Sequence, residues 1–346
     1  MKKIFWLIFF LLTVVTSSYA FSSDKKVSGL TAVPLFTTES KAENIVWAGT
    51  FQLVWNDLAN DIIKDNIYLQ GGNDDIVNGL NKQSFKSNMI SSKSYYKTHG
   101  VMTNALRDDI NQALKDKFNE TSGILQNAVW DGKNYLLYAM LKKDFNYPYD
   151  FNELQPDKFG KSKKNVRYFG IDRQSNITLR SMIDVMFYNS KNDYGIILNT
   201  KGRDLILLYR TNNILSFADA YKEMLEKSFT YEGSRKFGKN DTFKIPFIKF
   251  KNEYTYTNLI NKKILGTDFT IGSAMQTIDF NMDNKGIKLK SEASIAMRMS
   301  LDPQDFDSPR DFDFDDNFYL FMQEGMTHPY FAMKIGNTAA LNQIKN

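Results

Sequence analysis

Residues 287–299 have the sequence Ile-Lys-Leu-Lys-Ser-Glu-Ala-Ser-Ile-Ala-Met-Arg-Met, in which apolar and polar side chains alternate. The odd-numbered positions are apolar except for Ser291, and most even-numbered positions are polar. Successive side chains of a β-strand point to opposite faces, so this pattern predicts a strand with one face that can be buried. Gly286 precedes it as a flexible hinge. Two interpretations are open: a permanent strand, or a loop that becomes a strand only when a sheet opens to accept it.

An acidic, proline-containing segment follows this stretch. Within it, Asp311, Asp313 and Asp315 have the spacing of the first ligands in a calcium-binding loop. Such a loop has glycine at its sixth position and glutamate at its twelfth, where this chain has Asp316 and Met322. We therefore favour a solvated loop whose carboxylates repel one another, and we predict no metal site.

The N-terminus has the pattern of a cleavable signal peptide. Two lysines precede the apolar run Ile4–Val15, and small residues near Ala20 predict cleavage before Phe21. The apolar run is shorter than the roughly 20 residues that a membrane-spanning helix needs. The alternative is an N-terminal membrane anchor. Without a cysteine near the cleavage point, a lipoprotein is excluded. Residues 1–20 are thus a predicted signal peptide, and the mature chain is expected in the periplasm or outside the cell.

The amino-acid composition of the chain excludes several classes of function. The formal net charge of the full chain is +5, and loss of the two N-terminal lysines leaves +3, which is too little for a nucleic-acid-binding surface. The chain has no cysteine, so neither a disulfide framework nor a thiol nucleophile is available. Stability must come from a hydrophobic core, and the chain is long enough to bury one.

Enzyme signatures are absent from the sequence. The chain has two histidines, His99 and His328, and no Gly-x-Ser-x-Gly motif. We interpret both histidines as ordinary surface residues and expect no zinc site. Residues 71–74, Gly-Gly-Asn-Asp, lack the lysine of a phosphate-binding loop and predict a turn. A glycosidase carboxylate pair stays open, because such partners meet only in the folded protein. The sequence predicts a protein that is not an enzyme and has no cofactor.

Helices are predicted first and strands later, an order typical of the α+β class rather than of alternating βαβ units. Residues 21–43 are predicted as an extended leader and residues 44–340 as a single domain. Apolar periodicity predicts helices from about Val46 to Ile63, over Asp74–Leu80, over Thr103–Phe118 and over Ser216–Lys227. Strands are predicted at Tyr135–Leu141, Val185–Tyr188, Tyr194–Leu198, Leu205–Tyr209, Phe243–Phe250, Gln276–Met282, Ile287–Met299, Phe318–Gln323 and Tyr330–Ile335.

Four C-terminal segments resemble those of serpins, the serine protease inhibitor superfamily. Thr277–Gly286 is similar to the strand that leads into the serpin hinge, and Ser291–Ala296 to the small-residue run of the reactive loop. Phe314–Phe321 and His328–Asn337 are similar to the two closing strands. The resemblance implies N-terminal helices packed on a large central mixed or antiparallel sheet, a second C-terminal sheet, and an exposed reactive-type loop. The chain departs from the family at Trp47–Thr50, where Ser-Pro-x-Ser is usual.

The resemblance also implies a hinge at Gly286, Ile287 and Leu289. Serpins that inhibit proteases have small residues after the hinge glycine, so that the cleaved loop enters the sheet quickly. Ile287 and Leu289 are bulky, and their entry between packed strands is expected to be slow. If hydrolysis of the acyl-enzyme is faster than insertion, the protein is a substrate rather than an inhibitor.

Loop length in the family places the cleaved bond between Ser300 and Leu301, and Arg298 is the alternative for a trypsin-like protease. Three functions stay open. The first is an exported inhibitor of a serine or cysteine protease that acts by loop cleavage and insertion. The second is a non-inhibitory serpin-fold protein that binds or scaffolds, and the third is an unrelated exported enzyme or binding protein. In the first case the partner is a protease; we expect a monomer without nucleic acid, and without membrane contact after signal cleavage.

Overall fold

The computed structural model describes residues 29–143, 146–162, 164–285 and 308–343. The predicted signal peptide and the alternating stretch 287–299 lie outside these residues. Among the residues that are described, no helix is long and apolar enough to cross a membrane. Every predicted hinge and scissile residue also lies outside them, namely Gly286, Ile287, Leu289, Arg298, Ser300 and Leu301.

Strands dominate the described part of the chain, and most helices come before the last strands. The helices are α1 Thr50–Asp57, α2 Asp75–Asn81, α3 Asn104–Phe118, α4 Ile177–Arg180 and α5 Phe217–Thr230, and α1 continues into a π-helical turn, Leu58–Ile63. The strands are β1 Thr31–Ala32, β2 Ile45–Ala48, β3 Tyr95–Val101, β4 Tyr135–Lys143, β5 Asn152–Lys158, β6 Asn165–Ile171, β7 Ile183–Ser190, β8 Asp193–Asn199, β9 Asp204–Arg210, β10 Thr242–Pro246, β11 Ile248–Thr255, β12 Lys262–Lys263, β13 Thr270–Met282, β14 Asp311–Asp313, β15 Phe318–Glu324 and β16 Phe331–Ile335.

The central sheet consists of β11, β13, β4 and β3 in this order, with β12 paired to β13. β4 and β13 are parallel, whereas β11 and β3 run antiparallel to their neighbours. Both faces of β4 are covered, so Tyr135–Leu141 is buried throughout, and its sequence is a continuous apolar run rather than an alternating one. The mixed central sheet confirms the predicted α+β class.

Two further sheets complete the fold. The larger has seven strands in the order β1, β2, β16, β15, β9, β8, β7, and the smaller has four in the order β14, β10, β6, β5. Phe318–Gln323 is buried at every position because β15 lies in the middle of the seven-stranded sheet and is covered on both faces. The sequence analysis expected one sheet besides the central one, and the structure has two.

The first predicted helix begins later than its periodicity indicates. Ile45–Ala48 forms β2, because its backbone pairs with β16 and all four side chains are buried. Gly49 separates β2 from α1, and a Cβ atom there would lie 2.4 Å from the ring of Phe85. The dihedral angles of Gly49 are ordinary helical ones, and the missing side chain leaves room for the buried ring of Phe85.

The other three predicted helices agree with the structure. Thr103 caps α3 by accepting a hydrogen bond from the Leu106 N–H at 3.2 Å, and Asp74 and Ser216 cap α2 and α5. α1 and α3 cover opposite faces of the central sheet. Their buried residues form two clusters, one around Phe51, Val54 and Trp55 of α1 and the other around Ile110 and Leu114 of α3.

Part of the predicted extended leader packs onto the seven-stranded sheet. Residues 31–32 pair with β2, and the ring of Phe36 lies 4.9 Å from the ring of Trp47 and 6.1 Å from that of Phe217. Leu30 and Val33 are also buried. Residues 29–36 therefore contribute to the core of the domain.

Candidate functional site

The central seam is the boundary between β4 and β13. The two strands are paired from Tyr135 and Ile271 at one end to Lys143 and Phe280 at the other. β13 ends at Met282, shortly before the described chain stops at Lys285. Because the two strands are parallel, a further strand that runs opposite to both can hydrogen-bond to each of them once the seam opens. The geometry of the seam would thus fit an additional antiparallel strand.

On its α3 face, the seam is crossed by a row of charged residues, which we call the charge clasp: Glu120, Lys142, Lys251 and Asp279. Lys142 on β4, Asp279 on β13 and Lys251 on β11 lie next to one another in register. Glu120, just beyond the end of α3, accepts hydrogen bonds from Lys142 Nζ at 2.7 Å and Lys251 Nζ at 2.6 Å. It thus bridges the two strands on either side of β13.

The contacts of the charge clasp shift the pKa of Glu120. Burial alone raises the pKa of Glu120, but the hydrogen bonds from Lys142 and Lys251 outweigh burial, and the pKa lies below its ordinary value. Lys142 Nζ also donates to the carbonyl oxygen of Phe118, the last residue of α3, at 3.2 Å. The end of α3 is therefore held to the seam through charged groups.

Two buried hydroxyls lie on the same face of the seam. Tyr138 of β4 and Thr277 of β13 are fully buried and their hydroxyls are neighbours, but neither forms a well-aligned hydrogen bond within the described chain. A buried polar group that is left wholly unsatisfied costs about 1–3 kcal/mol. A poorly aligned pair therefore contributes less to the stability of the closed seam than a well-formed hydrogen bond would.

The α1 face of the seam has a fully satisfied polar group instead. Gln276 is completely buried, and its amide nitrogen donates to the Ala48 carbonyl at 3.0 Å and to Thr50 Oγ1 at 2.9 Å. Its amide oxygen accepts from the Tyr256 hydroxyl at 2.5 Å. This network fixes β13 to the beginning of α1.

The chain re-enters the described structure at Ser308 and is fixed almost immediately by Arg310. The Arg310 guanidinium donates from Nη2 and Nε to Asp241 Oδ2 at 2.7 and 3.1 Å, and both side chains are buried. It also donates to the carbonyl oxygens of Ser234 and Lys236, at 2.7 and 2.6 Å. Removing one partner of such a pair leaves an uncompensated buried charge, which is strongly destabilising. The described chain is thus firmly attached to the domain at Arg310.

The acidic segment after Arg310 is not the solvated loop that its composition predicts. Asp311–Asp313 forms β14, because Phe312 and Phe314 are fully buried while the intervening carboxylates point elsewhere. Lys244 Nζ lies 3.9 Å from Asp313, 3.4 Å from Asp315 and 3.3 Å from Asp157. A lysine therefore occupies the position towards which these carboxylates converge, and it compensates their repulsion.

The two histidines, interpreted from sequence as surface residues, are both half-buried. The His328 ring packs at 4.9 Å against Phe36, in an edge-to-face arrangement. The predicted hinge and scissile residues stay predictions, because they lie outside the described residues. The charge clasp has no signature in the sequence, since its members are far apart in the chain and show no common spacing.

No protein-family model matches the chain, and no curated protein matches it. Solved structures do. Serpin48, a highly specific serpin of the insect Tenebrio molitor, is 12% identical with a TM-score of 0.53, and the match covers 87% of this chain and 93% of Serpin48. Maspin is 11% identical with a TM-score of 0.52, and the match covers 84% of this chain and 92% of maspin.

At these identities the similarity concerns the fold. The matches extend over most of this chain and over nearly the whole of both solved structures. They confirm the resemblance inferred from the C-terminal segments, and they agree with a mixed central sheet covered by helices on both faces. The chain therefore has the serpin fold.

Proposed function

We propose that this serpin-fold protein is an exported inhibitor of a serine or cysteine protease, and that it acts by loop cleavage and insertion into the central sheet. The observation that carries the proposal is the parallel pairing of β4 and β13, with β13 leading directly into residues 286–307. A segment that follows β13 and turns back at Gly286 runs antiparallel to both strands. It can then form a ladder with each of them.

The length and pattern of the alternating stretch support this role. Residues 287–299 and β13 are both 13 residues long. Insertion replaces the hydrogen bonds of the central seam by two new ladders and buries the apolar face of the stretch. The inserted state is therefore expected to be more stable than the uncleaved one.

The proposed covalent step takes place at Ser300. The protease nucleophile bonds to the carbonyl carbon of Ser300, the bond to Leu301 breaks, and Leu301 leaves as a free amine with the proton that the nucleophile has lost. The protease then remains attached to Ser300 as an acyl-enzyme. Inhibition requires insertion to be faster than hydrolysis of this ester or thioester. For a trypsin-like protease, the same step is proposed at Arg298.

A second candidate function is a non-inhibitory serpin-fold protein that binds or scaffolds. The specific observation in its favour is the pair of bulky residues Ile287 and Leu289, which would slow insertion between strands that are packed at native density. In both candidates the protein is not an enzyme and needs no cofactor, and we propose that it is a monomer. The signal-peptide pattern of residues 1–20 supports export to the periplasm or secretion.

The two functions are separated by incubating the mature protein with a panel of serine and cysteine proteases. Inhibition predicts a covalent complex that survives boiling in SDS, and mass spectrometry of the released peptide is expected to place cleavage after Ser300 or Arg298. The second function predicts cleavage without a complex. Cleavage with neither a complex nor a rise in the thermal unfolding temperature would contradict insertion altogether.

Hinge variants test whether insertion speed decides the outcome. Ile287→Thr combined with Leu289→Ala is expected to increase the ratio of complex to cleaved protein, because smaller side chains enter the sheet faster. The matched control is Lys288→Ala combined with Lys290→Ala, which changes the opposite face of the same stretch. An equal effect of both double variants would contradict a role for the buried face.

A further inference from the structure

Three side chains with metal-binding atoms meet beside β3, the edge strand of the central sheet. Asp57 is the last residue of α1, Asp61 follows in the π-helical turn, and His99 lies on β3. One possible ligand atom from each side chain lies within 4.8 Å of the other two. The cluster thus combines an imidazole with two carboxylates from a different element.

The hydrogen bonds of His99 and Asp61 leave atoms available for a ligand. The Tyr135 hydroxyl lies 2.8 Å from His99 Nδ1 and is the hydrogen-bond partner of this ring nitrogen. The other ring nitrogen, Nε2, has no hydrogen bond within the described chain. Metal-binding histidines are typically oriented by such a contact at the second ring nitrogen. Asp61 is exposed, and in the part of the chain that the structure describes its carboxylate has neither a hydrogen bond nor an ion pair.

Asp57 has one partner, the ammonium group of Lys97, whose Nζ lies 2.5 Å from both carboxylate oxygens. Each carboxylate oxygen has more than one lone pair, so Asp57 can bind a metal ion through one oxygen while the other keeps its hydrogen bond to Lys97. Ligating carboxylates usually have such a second partner. The charges also favour a cation, because Lys97 compensates only one of the two carboxylates in the cluster.

We propose that Asp57, Asp61 and His99 bind one divalent transition-metal ion, of which Zn²⁺ is the expected example. An imidazole nitrogen and carboxylate oxygens are ligands that zinc accepts, and three protein ligands leave a fourth position for water. Imidazole makes the site a poor one for Mg²⁺ and Ca²⁺, which prefer oxygen ligands. The bound ion connects the end of α1 to β3. This inference does not depend on the proposed function.

Calorimetric titration of the mature, untagged protein with ZnCl₂ tests the proposal. One Zn²⁺ per chain is expected, with little or no binding of MgCl₂ at the same concentrations. His99→Gln is expected to weaken Zn²⁺ binding roughly tenfold or more. Asp61→Asn is the cleaner second variant, because its exposed side chain has no described contact that folding depends on, and it should also weaken binding.

His328→Gln provides the matched control, since His328 is the other histidine of the chain and packs on Phe36 instead. It should leave the affinity for Zn²⁺ unchanged. Far-ultraviolet circular dichroism checks that each variant is folded. Absence of Zn²⁺ binding in the parent protein, unchanged affinity in folded His99→Gln and Asp61→Asn, or loss of binding in His328→Gln would each overturn the proposal.

Discussion

The two faces of the central seam are held together by different kinds of contact. On the α1 face, apolar side chains surround Gln276, whose buried amide has three hydrogen-bond partners. On the α3 face, the charge clasp crosses the seam next to the hydroxyls of Tyr138 and Thr277, which form no well-aligned hydrogen bond within the described chain. Buried apolar contacts are costly to break, whereas partly exposed ion pairs contribute little and are weakened by salt.

If the proposed insertion takes place, this difference indicates which face of the seam opens. An additional strand can enter only if β4 and β13 separate. The helix that covers one face of the seam then has to move away from the sheet. The α1 face buries the larger of the two apolar clusters that cover this part of the sheet, so its contacts are expected to persist. The α3 face is held by fewer apolar contacts and by charged groups. We therefore expect α3, rather than α1, to move away from the seam first.

The largest expected effect comes from the α1 face. Phe51 is buried and its ring lies 4.3 Å from that of Tyr256, so Phe51→Ala should lower the free energy of unfolding by about 3–5 kcal/mol. Leu106→Ala, in the half-buried part of α3, should lower it by only about 1 kcal/mol. Urea unfolding measures both. Equal losses would contradict the comparison between the faces.

The next effect concerns the clasp. Lys142 and Lys251 donate to different oxygens of Glu120, and Glu120→Gln leaves one acceptor oxygen and turns the other into an amide N–H group that cannot accept. The variant should therefore lower the free energy of unfolding by about 1 kcal/mol. It should also accelerate uptake of a synthetic peptide with the sequence of residues 287–299, which can be followed by native gel electrophoresis. The second readout rests on the proposed function, whereas the first does not.

A matched control for the clasp is Glu226→Gln on α5. Glu226 forms an exposed ion pair with Lys222, with 3.8 Å between the charged atoms, far from the seam in sequence and on another element. This variant should change neither the free energy of unfolding nor the rate of peptide uptake measurably. If Glu226→Gln accelerates uptake as much as Glu120→Gln does, the clasp has no specific role.

Local patterns predicted those elements of the fold whose burial is one-sided or whose ends are capped. α3 begins where Thr103 predicts it, because a cap and an apolar stripe act within a few residues. Val46–Ala48 of β2 was wrongly predicted as the beginning of a helix, because a short run of buried residues has the period of neither a strand nor a helix. Its pairing with β16, for example of Val46 with Met333, makes it a strand, and that partner is remote in sequence.

The candidate site was predicted less well, for a related reason. Gly286 and the alternating stretch are a local pattern, and they gave the strand-insertion hypothesis without any structure. The clasp depends on Glu120 meeting Lys142 and Lys251, which are 22 and 131 positions away. The metal-ligand cluster similarly requires α1 to lie against β3. Distances of this kind follow from the topology and leave no trace in the spacing of residues.

A smaller effect, of opposite sign, is expected at Thr277. Its hydroxyl is buried beside that of Tyr138 without a well-aligned hydrogen bond, and valine has nearly the same shape without the hydroxyl. Thr277→Val should therefore raise the free energy of unfolding by up to about 1 kcal/mol and slow peptide uptake. Thr277→Ala is the comparison, since it also removes a methyl group and should not stabilise the protein. If Thr277→Val is destabilising, the hydroxyl has a partner that holds it.

The smallest effect is the pH dependence of the clasp. The pKa of Glu120 in the folded protein lies below its ordinary value of 4.5, so its ionised form stabilises the folded state. This contribution is fully present above the ordinary pKa and is lost as the pH falls through the folded-state pKa. The difference in unfolding free energy between the parent and Glu120→Gln should thus be constant from about pH 7 to pH 5 and decrease below pH 4.5. Other carboxylates titrate in both proteins and cancel in this difference. An unchanged or growing difference in acid would mean that α3 is held to the seam by contacts other than the charge on Glu120.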